Sequence, residues 1–256
     1  MQAIEAALDL GLIIMENGGA TLSADRAFTT AVQGLGGTTA SSFWRTDVVI
    51  AAATLDGHTS LYVRYPAPPR ANLVRVSEAA ALADRIGRGQ VDETAAAAEL
   101  TRIKAMPPPY PRVVTVFAAG ITAGSFARLI DGDWGSVAIC AVAAAVGQGV
   151  RSTLLRSVRV GVVTIACAAL SAFIAAWGLR AHVSTVEPAT LVASVVYMIP
   201  GLALVNGFID MTSPKYFAAG AQRIGFALLA AGMLAAGIAI GGAVAGSATP
   251  WTSPAH

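Results

Sequence analysis

Two short segments carry residue types suited to binding or moving a small polar solute. The first is VVYMIPGLALVNGFIDM, residues 195–211, in which Pro200-Gly201 is followed by Asn206 and Asp210. Proline lacks a backbone donor and its ring clashes with the carbonyl four residues back, so Pro200 with Gly201 opens a helical turn and leaves backbone groups to be satisfied otherwise. Asn206 and Asp210 are four residues apart and share a helix face. An amide next to exposed backbone groups can bind a polar solute, and a carboxylate can take up a proton or an ammonium group. Asp210 has two candidate placements: inside the apolar layer, where a carboxylate costs roughly 2.5–3.5 kcal/mol, or at the aqueous surface. Arg223, further along, is a possible partner for Asp210 or an interfacial anchor. The second segment holds Gln148 and Arg151, three apart on one face. Arg151 can grip a carboxylate through two parallel hydrogen bonds, or snorkel to the interface as an ordinary cation. The expected substrate-binding set is therefore Pro200, Gly201, Asn206, Gln148 and Arg151, with Asp210 and Arg223 as the coupling residues.

Other chemistry finds little support. Cys140 and Cys167 sit in apolar runs with no metal-ligand spacing and read as packing residues. Ser41, Ser42, Asp56 and His58 are catalytic residue types without a nucleophile-elbow context. No phosphate-binding glycine loop ending in Lys-Ser/Thr occurs. No enzyme activity, metal or cofactor is expected, and a formal charge of +2 gives no reason to expect nucleic acid.

The elements that position these residues follow from composition. Of the 256 residues, 55% are hydrophobic and 12% charged, with a mean hydropathy of +0.63. Soluble domains carry about twice that charged fraction, so the expected fold class is an α-helical membrane protein. Five transmembrane helices are read at about 112–130, 134–155, 159–180, 188–211 and 222–246. They are preceded by a small cytoplasmic α/β domain over 1–106 and a proline-rich hinge, PPPYP, over 107–111. The transmembrane domain runs over 112–250 and an external tail over 251–256. Within 1–106 the expected order is helix, helix, strands, helix, helix. Ile4, Leu8, Leu12 and Met15 give the first helix an apolar stripe; Ser23, Ser77 and Asp92 stand at helix starts; Asp56-Gly57 marks a hairpin. Residues 70–76 read as a further extended piece. Small-xxx-small pairs at Gly120/Gly124, Gly237/Gly241 and Gly242/Gly246 favour close helix packing.

Lys104, Arg112, Arg151, Arg156, Arg159, Lys215 and Arg223 fall on one side of the spans, against Arg128 and Arg180 on the other. This asymmetry places the N-terminus in the cytoplasm and the C-terminus outside, in the inner membrane.

Several of these stretches together resemble the threonine/serine exporters, specifically their N-terminal half: Glu16-Asn17-Gly18-Gly19-Ala20, Ala71-Asn72-Leu73, Tyr110-Pro111-Arg112, and above all Pro200 to Asp210 followed by Gly220 and Arg223. The resemblance implies a secondary exporter of small hydrophilic metabolites, driven by the proton-motive force. Fused members have ten spans and this chain reads as five. It is thus similar to the split arrangement, in which a YjjP-like subunit works with a smaller YjjB-like membrane subunit. That pairing is associated with succinate export, so a hydroxy amino acid and a dicarboxylate both stand as substrates. Ile224-Gly225-Phe226 after Arg223 contains no acidic residue. Two readings of another class are a hydrolase anchored by the membrane half and a structural subunit without a transport path. A lone half would leave a polar face at Gln148, Asn206 and Asp210 toward lipid, so a smaller partner subunit or a homo-oligomer is expected to cover it.

Overall fold

A computed structural model describes residues 2–155 and 158–246. Arg156, the segment 247–250 and the tail 251–256 with His256 lie outside the described residues.

The order is α1 (Gln2–Glu16), α2 (Thr21–Gly34), β1 (Thr39–Trp44), β2 (Val49–Leu55), β3 (His58–Arg64), α3 (Leu73–Gly87), α4 (Glu93–Ala105), α5 (Arg112–Leu129), α6 (Trp134–Leu154), α7 (Val160–Arg180), α8 (Glu187–Ala193), a 3₁₀ turn (Val196–Met198), α9 (Gly201–Met211) and α10 (Phe217–Ala245). Among the described residues α5, α6, α7 and α10 are each long and apolar enough to cross a membrane. A fifth span is added if α8, the 3₁₀ turn and α9 count as one, bent by 70° at the break. The chain folds as two compact units, residues 1–109 with 201–226, and residues 110–200 with 227 onward. The first unit is thus discontinuous in sequence, joining the α/β elements to α9 and the start of α10.

In the first unit the helix–helix–strands–helix–helix order is present. The core is wider than a single stripe on α1: Leu10, Ile13 and Ile14 are buried as well as Ile4, Leu8, Leu12 and Met15, so α1 is a central helix enclosed on most sides. The sheet is antiparallel in the order β1-β2-β3. It turns Trp44, Val49, Ala51 and Tyr62 toward the core, as the period of two requires. Leu55 pairs with His58 across a two-residue turn whose residues Asp56 and Gly57 have φ of 51° and 77°. That left-handed pair is the twist-matched hairpin turn that an Asp-Gly sequence favours.

Three local expectations are corrected. Helix α2 starts at Thr21 after Ala20, which makes no side-chain cap, and Ser23 lies inside the first turn. Helix α3 is capped by Asn72, whose side chain accepts from the Arg75 amide at 3.2 Å; Ser77 lies inside the helix and donates back to Val74 O. Residues 70–76 are therefore a loop and a helix start, and the extra strand is β1, which pairs residue for residue with β2. Asp92 does cap α4, accepting from the Ala95 amide at 2.7 Å.

In the second unit the small residues lie where helices meet. A Cβ on Gly120 or Gly124 would lie 2.9 Å from Ala141 O or 3.1 Å from Val137 O, and one on Gly241 2.2 Å from Ala169 O. Helix α6 is capped by Asp133, whose Oδ1 accepts from the Ser136 amide at 2.6 Å. Hydrogen bonds from Ser136 N, then from Ser184, outweigh desolvation and pull the Asp133 carboxyl down to about 2. Ser136, Ser184 and Thr190 share a hydroxyl network that ties the start of α8 to this cap.

Candidate functional site

The fourth expected span is interrupted at Ile199, which is extended with φ −60° and ψ 129°, the conformation that a following proline imposes. Helix α9 then starts afresh at Gly201. Its two faces differ sharply. Val205, Phe208 and Ile209 are exposed, whereas Asn206 and Asp210 are 7% and 0% exposed. The helix is apolar outside and polar inside, which is how a membrane segment can carry both residues.

The polar face meets the turn between α1 and α2. Asn206 Nδ2 donates to Gly18 O at 2.7 Å. Asp210 accepts from the Thr21 amide at 2.9 Å, from Thr21 Oγ1 at 2.7 Å and from the Leu22 amide at 3.4 Å. Ala20 cannot cap α2, and Asp210 supplies the cap from 189 residues away. The positive end of the helix dipole adds to the attraction for the carboxylate. Arg223 Nη2 donates to Gly19 O at 3.1 Å and to Thr21 Oγ1 at 3.4 Å. Its Nε lies 3.2 Å from Asp210 Oδ2 but is not aligned for a hydrogen bond, so this is a charge contact. Helices α9 and α10 come close enough for it because both approach positions are glycine. A Cβ on Gly220 would lie 2.6 Å from Gly207 O and 2.8 Å from Met211 N.

A second cluster lies one turn further along α2. Asp25, 5% exposed, accepts at Oδ1 from Trp44 Nε1 at 2.9 Å and from Ser42 Oγ. At Oδ2 it accepts from Lys215 Nζ and Tyr216 Oη, both at 2.5 Å. Burial alone would raise the Asp25 carboxyl. The hydrogen bonds from Lys215, Ser42 and Tyr216, with the Lys215 charge, outweigh it and hold the group below its ordinary value of 3.8. Burial and the Asp25 hydrogen bond push the Tyr216 phenol up.

Asn206, Asp210 and Arg223 are thus brought together. The expectation that Asn206 and Asp210 would face lipid without a partner subunit is corrected: residues 18–22 of the same chain cover them. Gly201 belongs to the same unit but touches none of these groups, while Pro200, Gln148 and Arg151 belong to the second unit. There Arg151 is half-buried with its Nε lacking a hydrogen-bond partner. In the same unit Ser171 Oγ and Tyr197 Oη are 3.2 Å apart, in space left by Gly147. A groove lined by Phe117, Ile121 and Val142 among others is apolar and belongs to the α5–α6 pair. Sequence reasoning missed Thr21, Asp25, Lys215 and Tyr216. A signal for Asp25 was present: it falls on the apolar stripe Ala24, Phe28, Ala31 and Val32 of α2, where a carboxylate needs partners.

The threonine/serine exporter family model, ThrE, matches residues 5–245, a range that contains every residue of both clusters. The chain belongs to the threonine/serine exporter family. No curated protein and no solved structure matches it. ThrE proteins are transporters, not enzymes, and family and apolar helices together make this chain a multi-pass membrane protein.

Proposed function

We propose that this chain is a subunit of a secondary transporter that exports small hydrophilic metabolites of the threonine/serine class. The observation that carries the reading is the buried pair of Asp210 on α9, just after the break, and Arg223 on α10, held with Asn206 against the Gly18-Gly19 carbonyls and the N-terminus of α2. These groups match a zwitterion. A guanidinium and helix N–H groups suit an α-carboxylate; a carboxylate and two backbone carbonyls suit an ammonium. In the described arrangement these groups partner one another, apart from the unpaired Arg223 Nε. Solute entry separates the pair: Arg223 takes the substrate carboxylate, Asp210 its ammonium group or a proton, and Asn206 a hydroxyl or carbonyl. Gln148, Arg151 and Pro200, which belong to the second unit, and Gly201 remain substrate-binding candidates by residue type alone.

The cytoplasmic placement of the α/β elements rests on positive charge. Arg223 is buried in the pair and leaves that count, so the asymmetry is carried by Lys104, Arg112, Arg151, Arg156, Arg159 and Lys215. A smaller membrane subunit or a second copy completes the transporter; this rests on the likeness to split exporters.

Flux measured in proteoliposomes with labelled threonine, serine and succinate, with and without a co-expressed neighbouring subunit, tests the reading. Threonine or serine flux that disappears in Asn206→Ala and Asp210→Asn is the expected result. Flux of succinate alone points to the dicarboxylate class, and no flux with either preparation overturns the proposal.

A further inference from the structure

The two oxygens of Asp25 serve different parts of the first unit. Oδ1 takes both of its donors, Ser42 and Trp44, from β1. Oδ2 takes both of its donors, Lys215 and Tyr216, from the turn between α9 and α10. That turn is short, and each side of it holds one member of the buried pair: Asp210 before it, Arg223 after it. Its internal bonds, Ser213 N to Asp210 O and Tyr216 N to Ser213 O, define its shape but do not fix where it sits. Thr21 and Asp25 are one helical turn apart on α2, so the same rigid face that caps Asp210 also holds the turn.

From this geometry we propose that Asp25 is a positioning residue for transport: through Lys215 and Tyr216 it fixes the 212–216 turn and thereby the register of Asp210 against Arg223. The inference rests on the transporter reading of the Asp210 site. Asp25 touches no group assigned to substrate. Its loss therefore acts on how often the pair reaches a productive geometry, not on affinity for the solute.

Asp25→Asn is the sharpest variant. The amide keeps one oxygen for Ser42 and Trp44, while its NH₂ faces two donors and loses both. Lys215→Met with Tyr216→Phe removes the same contacts from the other side. Lys215→Arg keeps the cation, and Ser42→Ala releases only the β1 side. The inference expects a fall in maximal flux of about tenfold or more in the first two variants, with KM changed by less than about twofold. It expects near-wild-type flux in the last two. In detergent-purified protein, amide hydrogen exchange over residues 212–220 is expected to speed up in Asp25→Asn by about tenfold, with α5 to α7 unchanged. Wild-type exchange over 212–220 in Asp25→Asn, or a flux defect confined to KM, overturns the positioning role. Wild-type liposomes without flux overturn the transport reading instead, and the exchange measurement still decides whether Asp25 sets the turn.

Discussion

A carboxylate and a guanidinium buried together cannot be judged by deleting one of them. Asp210→Asn leaves Arg223 in a site that is 8% exposed without its counter-charge, and breaking a buried pair this way costs about 3–5 kcal/mol. The expected outcome is a large drop in the melting temperature of the detergent-solubilised protein together with loss of flux. Asp210→Asn combined with Arg223→Met should recover much of the stability and none of the flux, a separation that thermal unfolding and liposome assays read independently. Asn206→Ala removes the donor to a buried carbonyl, Gly18 O, and should cost about 1–3 kcal/mol by the same melting measurement. Asp25 gives a pH test. Its carboxyl titrates below 3.8 in the folded state, so its contribution to stability is complete above that value and is lost as pH falls through the lower folded value. The melting-temperature gap between wild type and Asp25→Asn should therefore stay constant at neutral pH and close only on strong acidification. A gap that closes near pH 6 would contradict the assignment of the carboxylate as the held form.

At the level of elements, the broken span is the feature that decides behaviour. Pro200→Ala restores a backbone donor and removes the clash with the helix behind it. The expected result is normal membrane insertion with impaired flux at matched expression; unaltered flux would make the break a packing feature. Gly220→Ala forces a Cβ to 2.6 Å from Gly207 O, separating α9 from α10, and should lower both stability and flux in the same two assays. Much of this layer was legible from the sequence. Long charge-free runs gave α5, α6, α7 and α10, and Asp56-Gly57 gave the β2–β3 hairpin, because period and turn chemistry act locally. The starts of α2 and α3 were misplaced for a physical reason. Ser23 and Ser77 are good caps by type, yet Asn72 sits one turn earlier for α3, and α2 takes its cap from a distant carboxylate that no local pattern reveals. Strand β1 was missed because TASSFW is only half apolar and gains its order from pairing with β2.

For the whole molecule, sequence order and spatial grouping part company. Asn206, Asp210 and Arg223 were picked out by residue type and spacing. Their partners Gly18 and Gly19 were visible only as a turn shared with a family, and Thr21 not at all, because nothing local says that a glycine carbonyl will meet a residue nearly 190 positions later. The proposed topology predicts that cysteines placed at Asp131 and Thr185 react with an impermeant external maleimide, while one at Gly57 reacts only after permeabilisation. The opposite pattern would reverse the orientation. The remote cap on α2 also bears on how the chain is made. The ribosome delivers Thr21 and Asp25 long before Asp210, Lys215 and Tyr216; a separation of 189 residues is roughly 10–40 s of synthesis. Through that interval the α/β elements exist with an uncapped helix and a buried carboxylate short of two donors, while α5 to α8 emerge. The first unit is thus begun at the start of synthesis and completed only after most of the second has been made. A nascent chain arrested before Gly201 should be cut readily by protease between Glu16 and Leu22, and one arrested well after Arg223 should resist.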